Sequence, residues 1–447
     1  MLPPLSGSLQ ERPCGSAGNE NLAAVRRRWP DVWQRLQRSP LPESWQVSAH
    51  TPQSTLLVHG LQLTSAYDRL GEARLQASRL PPDSRNVWVY GMGFGDLITV
   101  LLEMRHLARI NVVLLHPGID RLVLQQSGRL DWLRDPRVEL LLGSGQRQLQ
   151  KPWLAMPAYL RLASDDSLVL RDQLVLELNH PYQEEHFLRL QDLFHQRLEE
   201  NRPFLKSDGD TGILFGSRPE GRFIVVGAGP TLETNLDWLR QNRSDATLIT
   251  VTRAVKPLLD AGIFPEIALA LDHSPFVFDH VRSLPAEPLA AVTLAYAPVV
   301  CPELLRFWPG PRLAFYLDEP LYDSLRRQWP RPSLYCSGTV VHTAIDLAVR
   351  MGAREVVLLG VDFSYPEGKS HAAGAVAASR IAGESSHRFT TRNGRGRPVP
   401  TDANFLGYIR DLEQYLARHP EVRFLKRGKA GADLQGAEWM NEEHDAG

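Results

Sequence analysis

The chain alternates short apolar runs with stretches whose apolar residues recur at helical spacing, and it does so twice. In the first half, "NVWVYGMGFGDLITVLLEMRHLARINVVLLHPGID" sets Val- and Leu-rich runs on either side of an amphipathic stretch. That pattern predicts a strand at 87–90, a helix at about 95–108 and a second strand at 110–115. Upstream, Trp29, Trp33 and Leu36 share one side of a helix predicted over 22–39. "STLLVHGLQLTS" holds a strand-like run, and "AYDRLGEARLQASRL" reads as an amphipathic helix. "VELLLG" at 138–143 predicts a further strand, and helices are expected from there to about 203.

The second half repeats this grammar more strongly. "RFIVVGAGPTLETNLDWLRQN" reads as strand, glycine turn and helix, "ATLITVT" as a strand, and "AVKPLLDAGI" as a short helix closed by Gly262. "EIALALD" is a strand ending at Asp272, followed by the short runs "LAAVTLAYA", "RLAFYLD" and "SLYCSG". "TVVHTAIDLAVRMGA" is a helix with Gly352 near its end, and "EVVLLGVDFSY" is a strand with a polar exit. Uninterrupted Val/Ile/Leu runs separated by helices mark a parallel sheet covered on both faces. The expected fold class is therefore α/β, with a Rossmann-like parallel sheet at 221–440 and a smaller Rossmann-like N-terminal α/β domain at 21–203. Residues 1–20 are expected as a flexible tail and 204–220 as a linker. The stretch 366–400, rich in Gly, Ser, Ala and Arg, is expected as an irregular loop before a last helix, "ANFLGYIRDLEQYLARH", and a strand, "VRFLK".

Composition narrows the function classes. At 447 residues the chain is long for a single core. A formal net charge of -1 supplies no global field for nucleic acid or an anionic membrane, so any anion site must be local. Cys14, Cys301 and Cys336 have neither disulfide-framework nor zinc spacing, which fits a reducing cytoplasm. No apolar stretch approaches the roughly 18–20 residues of a membrane span, and the N-terminus shows no secretory pattern. The expectation is a cytoplasmic protein with no membrane span and no nucleic-acid partner.

Ligands of an open parallel sheet collect beyond the carboxyl ends of its strands. Those positions are Gly227, Gly229, Pro230 and Thr231; Thr252 and Arg253; Asp272, His273 and Ser274; Ser337, Gly338 and Thr339; and Asp362, Ser364 and Tyr365. Gly227–Thr231 suits an anion cradle at a helix start, or a plain strand-to-helix turn. It lacks the lysine of a P-loop and has Leu232 where GxGxxG has its third glycine. Gly91, Gly93 and Gly95 form a similar turn. The strand after them ends at His116, with Asp120 four residues on, in place of a ribose-binding acid, so the first unit reads as scaffold or a partner-binding domain more than as a dinucleotide or S-adenosylmethionine site. Asp272 and Asp362 can hold Mg²⁺ on a phosphate or simply cap turns. His371 in "EGKSHAAG" and His387 in "GESSHRF" are candidate proton acceptors near neutral pH, although most surface histidines carry no chemistry. Arg380, Arg388, Arg392, Arg395 and Arg397 against the single acid Glu384 suit a lid over an anionic donor, or a solvated loop.

Several blocks in order carry a resemblance. "IVVGAGPTLETNLDWL", "KPLLDAGIFPEIALALDHSP", "SGTVVHTAIDLAVRMGAREVVLLGVDFSYPEGKSHAAG" and "TDANFLGYIRDLEQYL" together resemble the motility accessory factor (Maf) glycosyltransferase-like family. Archaeal 6-hydroxymethyl-7,8-dihydropterin diphosphokinases share this domain. The block from Ser337 to Tyr365 is also similar to one in bacterial sialyltransferases, and "LQLTSAYDRLGEA" followed by "VWVYGMGFGDLITVLLE" is similar to the Maf N-terminal domain. The resemblance runs over roughly 50–440.

It implies a sialyltransferase-like domain that moves a nonulosonic acid from a CMP-activated donor to Ser/Thr of flagellin, without metal or other cofactor. On that reading Gly227, Gly229, Pro230 and Thr231 face the CMP phosphate or ribose. Thr252 and Asp362 lie with them at the strand exits that hold the donor. Asp272 and Ser274 lie at the cytidine, and Ser337, Gly338 and Thr339 hold the sugar carboxylate or phosphate. His371 is the first choice of base and His387 the second, with Tyr365 supporting the leaving phosphate. Two departures stand out: Maf proteins often continue as a helical domain beyond the point where this sequence ends, and His273 is unusual within "LDHSP". The alternatives are a Mg-dependent diphosphokinase using ATP and a pterin-like alcohol, with Asp272 and Asp362 on the metal, or a non-catalytic accessory protein that binds a nucleotide-sugar.

Overall fold

The computed structural model describes residues 16–48, 54–146, 148–375 and 389–441. Its described residues fall into two compact units divided between Val175 and Leu176.

In the first unit, the helical stretch expected over 22–39 is two helices, Ser16–Arg28 and Pro30–Arg38. Pro30 lacks an N–H and cannot continue a helix, but its fixed φ suits the first position of the next one. The strands Asn86–Tyr90, Arg109–Leu114 and Val138–Leu142 form where the apolar runs place them. A fourth, Trp153–Ala155, is hidden in the sequence because prolines at 152 and 157 cut its apolar run to four residues. Together they make a parallel sheet in the order Val138–Leu142, Arg109–Leu114, Asn86–Tyr90, Trp153–Ala155. The glycine turn leaving Asn86–Tyr90 is packed by its own unit. A Cβ on Gly91 would sit 2.7 Å from the Tyr159 ring, and that tyrosine donates to buried Asp120 at 2.6 Å.

The second unit is built on nine parallel strands. Their order is Glu438–Trp439, Arg423–Lys426, Ala353–Leu359, Gly221–Val226, Ala246–Val251, Ile267–Ala270, Thr293–Tyr296, Arg312–Ala314 and Gly209–Asp210. The α/β, Rossmann-like class expected from the apolar runs is the architecture seen. Residues 204–220 lie within this unit and contribute its edge strand Gly209–Asp210. The stretch 366–400 is not wholly irregular, because Phe389–Arg392 pairs antiparallel with Pro398–Thr401. Residues 376–388 are outside the described residues.

Gly221–Val226 is the strand at which the chain reverses direction through the sheet, with Ala246–Val251 on one side and Ala353–Leu359 on the other. The loops leaving Gly221–Val226 and Ala353–Leu359 press together. Gly229 N–H donates to the Gly360 carbonyl at 2.8 Å, and a Cβ on Gly227 would lie 2.5 Å from that oxygen. Asp362 then reaches across, accepting the Thr231 N–H at 2.8 Å and the Thr231 hydroxyl at 2.5 Å. The carboxylate is buried beside the buried Lys426 ammonium, whose pKa burial pushes down to about 8. Arg427 extends the same clasp, donating to Asn235 at 2.7 Å while Asn235 donates to the Thr231 carbonyl.

This clasp leaves no room for side chains. A Cβ on Gly229 would meet Asp362 Oδ2 at 2.5 Å and Gly360 O at 2.6 Å. Gly229→Ala should therefore destabilise the second unit by about 1–3 kcal/mol, the usual range for overpacking a close contact, read as a lower urea midpoint at unchanged slope. An unchanged midpoint would show that the two loops part easily.

Candidate functional site

The clasp changes what the glycine turn offers. Gly227 N–H donates to Leu359 O, Gly229 N–H to Gly360 O, Thr231 N–H to Asp362 and Leu232 N–H to Gly229 O. Pro230 has no N–H. These donors, which suit an anion in the sequence, are taken up by the chain itself. Asp362 is likewise turned inward, so it and Asp272 do not form a pair of open carboxylates at the strand ends.

The turn instead carries a loop. Ala228 O accepts Ala372 N–H at 2.9 Å, and Glu233 accepts both Lys369 Nζ at 2.8 Å and Ala373 N–H at 2.5 Å. The 369–373 segment is thereby pinned, and His371 with it.

His371 meets a residue from a neighbouring strand exit. Thr252, itself buried, opens the helix Thr252–Asp260, and the side chain of Arg253 projects from its first turn. Arg253 Nη1 contacts His371 Nε2, and Arg253 Nε donates to His280 Nε2 at 3.1 Å. His280 caps the short helix Phe276–Asp279 and is only 5% exposed. Asp272 leaves the strand Ile267–Ala270 and accepts the Ser274 N–H at 2.9 Å, while the Ser274 hydroxyl accepts from Phe276 N–H at 3.3 Å. Asp272 is 61% exposed and acts on Arg253 and His280 through its charge.

The electrostatics follow from burial. Burial first, and the Arg253 charge second, push the His280 and His371 pKa values down to about 4, against an ordinary 6.5. Asp272 and Asp279 oppose this at His280, and His280 adds to it at His371. Burial also lowers the Arg253 pKa, with Asp272 opposing. At neutral pH the site is one guanidinium between two uncharged imidazoles, with an open carboxylate nearby. That arrangement suits a phosphate or carboxylate.

The remaining sequence candidates divide. The Ser337–Thr339 turn lies against Tyr408, since a Cβ on Gly338 would meet that ring at 2.4 Å. Tyr408 feels the Asp272 charge, which brings this turn toward the cluster. Ser337 Oγ donates to Asp411 at 2.5 Å, and Thr339 Oγ1 caps the helix Val340–Met351. Tyr365 is turned elsewhere: its hydroxyl donates to Asp402. His387, Arg380 and Arg388 lie outside the described residues. Arg253 stands among the strand-exit positions without an assigned role, and His280 has no sequence signal, being one of four polar residues in the mixed stretch "FVFDHVRSL".

Residues 196–368 match the family model described as 6-hydroxymethylpterin diphosphokinase MptE-like. That span includes Arg253, Asp272 and His280 and stops short of His371. No curated protein matches the chain. Among solved structures, a MAf glycosyltransferase from Magnetospirillum magneticum AMB-1 is similar, at 17% sequence identity and a TM-score of 0.45. The match covers 96% of this chain and 75% of that one.

The depressed histidines fix a pH dependence. Their folded pKa lies below the unfolded value, so the unfolded chain binds more protons between the two. The stability they contribute is present above about pH 6.5 and is lost as pH falls toward about 4. Urea midpoints should therefore drop between pH 7 and pH 5, and His280→Gln should lessen that drop. An equal drop in both proteins would place its origin in other groups.

Proposed function

We propose that the second unit is a transferase that binds a phosphate-bearing donor over the exits of strands Ala246–Val251 and Ile267–Ala270. The observation that carries this reading is Arg253 held between His280 and His371 beside the open Asp272. In its finer form the donor is a CMP-activated nonulosonic acid and the acceptor a Ser/Thr hydroxyl of a protein such as flagellin, as the resemblance of the sequence blocks implies.

The roles follow from the contacts. Arg253 and the two histidines line the phosphate side, where negative charge grows as the glycosidic bond to phosphate breaks. His371 Nε2 is engaged by Arg253, which favours the phosphate side for this residue over the acceptor side. Asp272 is the exposed group of the cluster able to take the proton of the incoming hydroxyl. The Ser337–Thr339 turn, packed on Tyr408, is assigned to the sugar carboxylate, and Phe276, 65% exposed and four residues beyond Asp272, offers an apolar face to a nucleobase.

The MptE-like match favours a second reading, diphosphoryl transfer from ATP to a pterin-like alcohol. That reading needs Mg²⁺, and the carboxylate pair suggested for it does not fit, because Asp362 is enclosed by Thr231 and Lys426 while Asp272 alone is open. Among the described residues, no three His, Cys, Asp or Glu side chains group as a metal site.

Thermal unfolding with nucleotides separates the two. CMP without metal should raise the melting temperature more than ATP with Mg²⁺, and the reverse order would replace the sugar-transfer reading with the kinase one. Arg253→Gln should weaken CMP binding about 10–100-fold, the scale of a charge-assisted contact of about 1.5–3 kcal/mol. Asp272→Asn should keep CMP binding and lower turnover about 10²–10⁴-fold. Full turnover in Asp272→Asn would remove the residue from the chemistry.

A further inference from the structure

We propose that Arg253, His280 and His371 form a proton-coupled anion site, in which an anion that engages the guanidinium also draws a proton onto the imidazoles. The inference rests on the donor reading above only for the identity of the natural anion.

The geometry fixes the tautomers first. A guanidinium carries donors and no acceptor, so both Nε2 atoms facing Arg253 present lone pairs. In a neutral imidazole the other nitrogen, Nδ1, then carries the hydrogen. Both of these Nδ1 atoms are enclosed, and neither has a hydrogen-bond partner among the described residues. Arg253 itself has no carboxylate within ion-pair distance among the described residues, and Asp272 acts on it only at longer range. The cluster thus holds a guanidinium without a carboxylate partner, flanked by two imidazoles whose unused Nδ1–H groups lie on the ring edges turned away from it. What it lacks is an anion.

An anion there would reverse the balance at both rings. The charges around the cluster are Arg253 on the helix Thr252–Asp260, Asp272 at the neighbouring strand exit, Asp279 on the turn that carries His280, and the two imidazoles themselves. Lys369, on the same loop as His371, is engaged by Glu233. After burial, the Arg253 charge is the largest influence keeping each imidazole unprotonated. Pairing that charge with an anion removes the opposition and adds an attraction, so each ring binds a proton more readily. By linkage, binding that takes up one proton tightens about tenfold for each pH unit lowered, from the bound-state pKa down to the free value of about 4.

Sulfate is the probe, because it has no proton of its own to exchange near neutral pH. Calorimetric titration of the full chain at pH 6, in two buffers of different ionisation heat, gives the number of protons taken up per anion. The expected result is uptake close to one, with affinity falling roughly tenfold from pH 6 to pH 7. His371→Gln should reduce the uptake, and Arg253→Gln should abolish sulfate binding. Sulfate binding without proton uptake, or no sulfate binding to the unaltered protein, overturns the proposal, and neither result depends on a variant that must fold. CMP competition separates this inference from the donor reading. If sulfate binds with uptake and CMP does not compete, the anion site stands and the CMP donor falls. If CMP binds and sulfate does not, the donor stands and the coupled site falls.

Discussion

The second unit depends on one enclosed carboxylate. Asp362 leaves the strand Ala353–Leu359 and ties down Thr231, which follows the adjacent strand Gly221–Val226. It can be buried only because two donors from Thr231 and the Lys426 ammonium surround it. A buried carboxylate stripped of such partners is among the costlier defects a fold can carry. What positions His371 in the cluster is hung from this point. With Thr231 fixed, Ala228 and Glu233 are fixed, and they hold Ala372, Lys369 and Ala373. His371 therefore reaches Arg253 from a loop whose anchor is a hydrogen-bonded carboxylate in the core.

The site is a study in opposed costs. Burial favours uncharged imidazoles, and an adjacent guanidinium favours them further. The same burial disfavours leaving that guanidinium without a counter-charge. Two neutral rings accepting its N–H groups relieve the second cost without removing it, because a lone pair is a weaker partner than a carboxylate. The open Asp272 lowers the local potential at a distance. Such a balance is easily tipped by a bound negative charge, and that is the property expected where an anion must be both held and released.

Legibility in the sequence followed the range of the interactions. The central strands of both sheets were readable because burial on two faces imposes apolar runs such as "FIVV" and "VVLL". Trp153–Ala155 escaped because four residues between prolines give no periodicity to read. The strand-exit rule brought Thr252, Arg253 and Asp272 to notice, since it depends only on topology. His280 was not readable: its role comes from folding its short helix against Arg253, and nothing local marks it. The glycine turn was misleading for a related reason. Glycine signals close approach without naming the guest, and at Gly227 and Gly229 the guest is Gly360 and Asp362 of the same chain. The role of Asp362 is likewise set by its partner Thr231, 131 residues away in the sequence.

The clasp also bears on the order in which the molecule is made. Its parts come from Thr231, Asp362 and Lys426, and Asn235 meets Arg427 across 192 residues of sequence. Contacts of such separation pay a large loop-closure entropy and form late. A chain emerging from the ribosome can assemble the first unit and most of the central strands before Arg423–Lys426 exists. Until that strand docks, Asp362 has no ammonium beside it and the 369–373 segment has only a loosely held turn to rest on. The cluster is therefore completed near the end of folding, so that a nascent chain carries the parts of the site well before it can use them.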